Sequence, residues 1–546
     1  MNADLIIYGN AMFQATGRDD LPVAGGVAIK GDTIIAVGTK EELDACLAEN
    51  TRVIACGENT LIMPAINDGH QHLRCIISSF NGVSLRYVTS EQKCIENALT
   101  WEKEHPEIEW VFGFGWQYNN WEDKIPPNNK LLNEAFPNKP VCLVDTDFHG
   151  AWLNDCALRE FGITQNSPDP EGSVIARYAD GTPTGYVQEA IILDIADKAM
   201  GAMETSPQLM KSNLRKLLRE CNEYGITGVS EMLGSKPEWL DVYEEMASED
   251  ALTCRIVLTQ DFWPEDYLQN TEKLAKRFPD NKSNVYFYAI KCFFDGVGIG
   301  HTSWQLHPFH DKPDWSGEPM IPEEILRQET LTAIASGQHI HIHACGDKSV
   351  RKALDWWEEA QNKGLTKPRQ RYTITHNDTV DPQDIPRFAK LGVVASMQPD
   401  MLAPCLKWED NLYPSRYGEK LSQTAWPCRS FIDSGVVLAF STDAPVGLLD
   451  PMMNIYRAVT RLHADGKPEG GWIPEQKISL ANALWAYTYG SAYQLGKEKF
   501  LGTLEVGKKA DITVLNKNLF AIEPEEYLGT KAKLTVFNGK VVYEKL

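Results

Sequence analysis

Apolar and polar positions alternate in short runs over the first sixty residues and again over the last forty-odd, with longer apolar runs between. DLIIYGN, VAGGVAIKGDTIIAVG and TRVIACGENTLIM predict strands, with Gly31-Asp32 turning the chain inside the second. KADITVL predicts another, and LTVFNGKVVYE sets Asn538-Gly539 between alternating apolar residues, a strong hairpin signal. Two β-rich ends around a long middle predict one small β-sandwich domain composed of residues 1–60 and 500–546, with 61–499 as a separate unit.

In that middle, apolar or β-branched runs ending in polar residues recur eight times: TLIMPAIN, GITGVSEM, CRIVLTQD, YAIKCFFDG, QHIHIHACGD, RYTITHN, GVVASMQP and GVVLAFSTDAP. Helix-like segments such as PQLMKSNLRKLLRECNEYG and DKSVRKALDWWEEAQNKG lie between most of them, as parallel strands with crossovers require. The fold class is α/β, a (β/α)8 TIM-type barrel. Residues 75–205 interrupt the rhythm at a length too great for one loop and are read as an insertion after the first barrel strand, lying over the active site.

Chemistry is written at the strand ends. Asp68, His70 and His72 are spaced by two, which in an extended chain puts three side chains on one face, and two imidazoles on one face can chelate a metal. Lys291, His343, His376 and Asp443 each stand near the C-terminal end of a later strand, where barrel enzymes place their reacting groups. Nitrogen and oxygen donors at one mouth suit zinc or a similar divalent ion. His339 and His341 lie deeper on the fifth strand and are read as barrel filling or hydrogen-bonding groups.

With these blocks in order, the chain resembles the amidohydrolase superfamily, in the family 3 branch that includes N-substituted formamide deformylases. LIMPAINDGHQH resembles the first-strand block, DFHGAWLNDCAL and GTPTGYVQEA the insertion blocks, and IKCFFDG the fourth-strand lysine block. HIHACGD, ITHND, SMQP, FSTDAPV and LGTLEVGKKADITVL follow in the family's order. The resemblance implies His70 and His72 on one metal, His343 and His376 on a second, and Lys291, carbamylated, as the bridge. It gives Asp443 the role of completing the first site and moving protons, with His343 and Lys291 beside it in catalysis, and makes Asp68 an orienting partner for a ligand imidazole. The metal is expected to be zinc, with manganese or iron as alternatives and one or two ions per chain.

The expected activity is hydrolysis of a C–N, amide-type bond other than a peptide bond in a small molecule by metal-activated water. The same apparatus on an ester or lactone, a decarboxylation, and a non-catalytic small-molecule-binding relative are the alternatives. The resemblance places His149, Trp116, Trp121, Asp295 and His301 over the metals as substrate-binding residues. The chain departs from the family's usual pattern at Ala65, Thr375 and His301; the last replaces an arginine, so the pocket is expected to lack a permanent cation and to prefer a neutral amide with an aromatic or apolar substituent.

Composition narrows the partners. The chain has 546 residues, 43% hydrophobic and 23% charged, an ordinary globular balance. Its 75 acidic against 53 basic residues give a net charge of -22, which repels nucleic acid and anionic lipid. MNADLIIYGN has no basic leader region, and no apolar run approaches the ~18 residues of a membrane span. Twelve cysteines without a CxxC spacing read as buried thiols in a reducing compartment. A cytoplasmic location and a small-molecule substrate are therefore expected, with a homodimer left open.

Overall fold

A computed structural model describes residues 2–545 apart from 171, 205, 233–235, 263–265, 281–282 and 406. The eight runs of the middle form eight parallel strands: β1 (Ile66–Gln71), β2 (Ile226–Glu231), β3 (Arg255–Asp261), β4 (Val285–Phe293), β5 (His339–Ala344), β6 (Tyr372–His376), β7 (Val394–Met397) and β8 (Leu438–Phe440). They pair in sequence order from β1 to β8. Just beyond β8 the chain returns to β1, with Asp443 N–H donating to the His70 carbonyl at 2.8 Å and His72 N–H to that of Ala444 at 2.9 Å. The sheet is thus a barrel closed at the end where the polar residues collect.

Register sets which residues share that end. Phe293 pairs with His343, His343 with Thr375, and Ala344 with His376, so the β5 and β6 histidines stand one register step apart near the same end. Lys291 and His341 form the tier beneath. Apolar neighbours such as Ile290, Ile342 and Ile374 are buried within one continuous core. The alternation along each strand therefore separates packing residues from residues that face the barrel axis.

The two chain ends share a second, eight-stranded sheet. Leu61–Pro64, which leads directly into β1, pairs antiparallel with Ile512–Leu515, and Ala532–Phe537 and Lys540–Glu544 extend that edge as a hairpin. Its turn is Asn538-Gly539, with φ of 48° and 75°, the left-handed pair that a two-residue hairpin turn demands. A buried polar knot ties this sheet to the barrel floor: Asp511 is ion-paired to Arg255 of β3 and accepts Thr227 Oγ1 at 2.9 Å and Asn538 N–H at 3.0 Å.

The insertion builds a six-stranded sheet, ordered Ser173–Arg177, Pro183–Glu189, Gly150–Leu153, Val141–Asp145, Val111–Trp116 and Val83–Ser84. Among the described residues no helix is long and apolar enough to cross a membrane.

Candidate metal centre

β1 and β8 deliver a first group of donors. His70 Nε2 lies 3.2 Å and His72 Nε2 3.0 Å from Asp443 Oδ1. Donors about 2.0–2.1 Å from a tetrahedral ion stand roughly 3.3 Å apart, so this spacing is that of a ligand set. Asp443 Oδ1 is buried yet has no hydrogen bond of proper alignment, as fits a lone pair aimed at a cation rather than a proton. Burial holds His70 well below the usual imidazole range, with Lys291 and His72 adding to the effect, and neutral imidazole is the ligating form. The residues present fit a divalent ion.

Lys291 of β4 is fully buried beside them, its Nζ 3.5 Å from His70 Nε2. Burial brings its ammonium down to about 8, against the opposing pull of Asp443 and Asp261. The His376 ring stands 5.2 Å from that of His70 and 4.3 Å from that of His343. Gln398 uses Nε2 to donate to Thr375 Oγ1 at 3.2 Å and Ser441 Oγ at 2.7 Å. Its Oε1 is left to accept from His376 Nδ1 at 2.9 Å, so His376 keeps its lone pair on Nε2.

A second donor cluster comprises Asp295, His343 and Cys345. The Asp295 carboxylate already accepts the backbone N–H groups of Trp304 at 2.8 Å, Cys345 at 3.0 Å and Gly346 at 2.8 Å. It is an anchor for the loops after β4 and β5. His343 Nε2 is 3.3 Å from the Gly296 carbonyl, which leaves Nδ1 with its lone pair.

The group that orients His70 is His341, whose Nε2 is 3.2 Å from His70 Nδ1, with Thr375 Oγ1 at 3.3 Å from the same atom. Asp68 does not fill that role. It accepts Thr442 Oγ1 at 2.6 Å, Thr442 N–H at 3.0 Å and Gln71 Nε2 at 2.7 Å, tying β1 to the end of β8. The pairing of β1 with β2 slips by one residue between Asp68 and Gln71, a bulge that interrupts the alternation placing Asp68 with the two histidines.

Above these groups opens a cavity of about 510 Å³, with His70, His72, Lys291, His343, His376 and Asp443 among its lining. Its walls are largely apolar, from Phe148, Phe293, Ile299, Met320 and Met401 among others. A barrel with these donors at its mouth is matched by comparison with known proteins: the profile of Amidohydro_3, the amidohydrolase family, covers residues 57–543. The chain belongs to the amidohydrolase family.

Among curated relatives, it is 28% identical over 553 residues to the protein LONG AFTER FAR-RED 3 of Arabidopsis thaliana, spanning 99% of this chain and 92% of that one. It is 24% identical over 538 residues to the N-substituted formamide deformylase of Arthrobacter pascens, spanning 96% and 95%. An uncharacterized metal-dependent hydrolase from Pyrococcus horikoshii OT3 shares the fold with a TM-score of 0.73 at 23% identity, over 95% of this chain and 99% of that one. Family, fold and donor clusters together support metal-dependent hydrolysis of a small molecule.

In this amidohydrolase the residues expected to bind substrate divide. His149 lines the cavity, its Nδ1 2.6 Å from Glu189 Oε2. Burial works against its charge, but Glu189 outweighs burial and holds the imidazolium up to about 9. Asp295 is occupied as described, and His301 lies outside the cavity lining, its Nε2 2.9 Å from Asp311. Trp116 and Trp121 are also displaced from the expected wall: their rings, 5.7 Å apart, pack with Trp152 in the core of the inserted sheet. Trp116→Phe should lower stability by about 1–3 kcal/mol, because the buried bond from its Nε1–H to the Leu143 carbonyl at 2.7 Å is lost and the smaller ring leaves a void. Thermal unfolding checks this, and kcat/KM of the folded enzyme should stay unchanged.

Among the cavity or supporting groups that escaped the sequence are Glu189, Arg86 and Gln398. GTPTGYVQEA and SMQP contain the first and last, so a polar residue inside a matched block was the available signal; Arg86 lies in none. Arg86 and Arg457 line the cavity, which corrects the expectation of a pocket without a permanent cation. Arg86 Nη2 donates to the carbonyls of Pro445 and Val446, and Arg457 Nε lies 3.6 Å from Asp400. Asp147, Glu189, Asp194 and Asp400 share the lining and outnumber them.

Proposed function

We propose that this amidohydrolase cleaves an amide-type C–N bond in a neutral small molecule with an apolar or aromatic substituent. One observation carries the reading: His70, His72 and Asp443 converge at 3.0–3.2 Å beside buried Lys291, under a largely apolar cavity. A bound divalent ion, with zinc the first expectation, supplies Lewis acidity, polarising a carbonyl and making water acidic enough to act as nucleophile near neutral pH. His70, His72 and Asp443 would hold one ion, and His343 and His376 a second. Lys291, buried beside His70, would supply a further ligand. With its ammonium disfavoured by burial, its free amine can add CO2 and become an anionic carbamate.

Asp443 is the proton carrier. It takes the proton of the attacking water and delivers it to the departing nitrogen. The apolar walls hold the substituent, and the cavity's acidic groups disfavour a substrate carboxylate.

The test is a metal assay followed by a matched panel. Protein purified without chelator should contain about one to two divalent ions per chain, lose hydrolysis on chelation and regain it with zinc or manganese. On a panel of N-formyl amines, N-acyl amines, lactams and esters, neutral N-acyl arylalkylamines should exceed their carboxylated counterparts in kcat/KM. Full activity in metal-free protein, or turnover of esters alone, overturns the reading.

A further inference from the structure

One guanidinium reaches the cavity with hydrogen-bonding capacity to spare. Arg86 follows the edge strand Val83–Ser84 of the inserted sheet, is partly buried, and lines the cavity. Its Nη2 donates to the carbonyls of Pro445 and Val446, the latter at 3.1 Å. Among the described residues its Nε and Nη1 have no hydrogen-bond partner and no carboxylate pairs with the group, yet neither atom is buried. Arg457, the other arginine of the lining, differs on both counts: its Nε is buried and lies 3.6 Å from Asp400. A partly buried guanidinium with free N–H groups and no acid beside it is one that a ligand oxygen can satisfy.

The fold fixes this group before any ligand arrives. Leu85 N–H donates to the Phe114 carbonyl at 2.9 Å, which lays the chain at Arg86 against the neighbouring strand Val111–Trp116. Gly115 in that strand has φ of 105°, and a Cβ there would stand 3.0 Å from the Arg86 nitrogen and 3.2 Å from its Cα, so glycine permits the approach. The guanidinium lies 5.7 Å from the centre of the Phe114 ring. Its Nη2 is held by carbonyls of the stretch just after Asp443, whose own N–H is bonded to the His70 carbonyl. Arg86 therefore spans from the inserted sheet to the loop that carries a proposed metal ligand, and little of its freedom is left to lose on binding.

We propose that Arg86 is a specificity residue, whose free N–H groups bind an oxygen acceptor that the substrate carries outside the bond to be cleaved. The preferred acceptor is a neutral carbonyl. A carbonyl and a carboxylate oxygen both fit the fork, but Asp147, Asp194 and Asp400 line the same cavity and set a negative field against an anion. This rests on the small-molecule hydrolysis proposed above and adds a feature of its substrate: the apolar or aromatic substituent bears a carbonyl of its own.

The experiment compares N-acyl arylalkylamines whose ring carries an acetyl group, an ethyl group of similar size or a carboxylate, at the meta or para position, in the wild type, Arg86→Met and Arg86→Lys. For the better-placed isomer, the wild type should prefer the acetyl over the ethyl compound by about tenfold or more in kcat/KM, and Arg86→Met should bring that ratio to within about threefold of unity. Arg86→Lys keeps a charge and a donor for one loop carbonyl, so it covers the case in which the methionine variant fails to fold; without the planar fork its ratio should fall by about threefold or more. Metal content should match the wild type in both. A loosened loop after Asp443 would slow the acetyl and ethyl compounds together, and an intact ratio in both variants overturns the assignment. So does a wild-type ratio near one for both isomers. A carboxylate compound that outdoes the ketone, and loses its advantage without Arg86, keeps Arg86 as the acceptor-binding residue and overturns the preference for a neutral substrate. Turnover of matched esters alone overturns the C–N reading, while the acetyl-to-ethyl ratio taken on those esters still decides Arg86.

Discussion

Asp443→Asn should lower kcat by about 10²-fold or more, the scale of a lost general acid–base group, with most of the bound metal retained. Burial pushes the Asp443 carboxyl up, but the His72 imidazole at 3.0 Å, with His376 and Lys291 nearby, outweighs it and keeps the group below the usual carboxylate range. The native group is therefore an anion poised to receive a proton. Asparagine keeps the oxygen and the shape but can neither accept nor return that proton. Lys291→Ala is the contrast: it removes the group proposed as a further ligand, so metal and activity should fall together, with partial rescue by acetate or formate. Metal content by elemental analysis beside single-turnover rates separates the two cases. A metal-replete Asp443→Asn enzyme with a near-native rate would remove Asp443 from the chemistry.

The second large effect concerns stability. Arg255→Met should destabilise the chain by about 3–5 kcal/mol, because it leaves Asp511 charged and buried without its partner. Arg255 also donates to Asn538 Oδ1 and lies 4.8 Å over the Phe537 ring, so its loss touches the hairpin turn as well as the ion pair. Both residues are within 8% exposure, which shields the pair from salt. Denaturant unfolding should show the loss, largely insensitive to ionic strength. A change within about 0.5 kcal/mol would mean that water reaches Asp511 once the arginine is gone.

The barrel was legible because each of its strands is a short apolar run that stops at a polar residue, a pattern set by the barrel itself: apolar side chains pack the sheet, and the strand end meets solvent and substrate. His70, His72, Lys291, His343, His376 and Asp443 stood at those stops, so reading the runs also picked out the groups that converge at the cavity floor. What could not be read was decided by tertiary structure. The one-residue slip after Asp68 is invisible to period-two reasoning. Trp116 and Trp121 share a segment with cavity-facing Gln117, and only the fold of the inserted sheet turns the indoles inward. Asp295 follows the fourth strand in a position that suggests substrate, yet three backbone N–H groups claim it once the loops after β4 and β5 meet. Glu189 stands inside a matched block, but nothing local marks it as a partner of His149, which lies forty residues earlier and meets it only through strand pairing.

The pairing of Leu61–Pro64 with Ile512–Leu515 bears on how the chain is made. Ile62 faces Val514, so the partner is synthesised on the order of 450 residues later. At roughly 5–20 residues per second the nascent edge waits tens of seconds for its neighbour. During that interval the entry to β1 presents bare backbone donors and acceptors, a template for pairing with other chains. Translation stalled or truncated before Ile512 would therefore release a polypeptide with this edge open, and chaperone demand should peak in that window, before the last strands emerge from the ribosome.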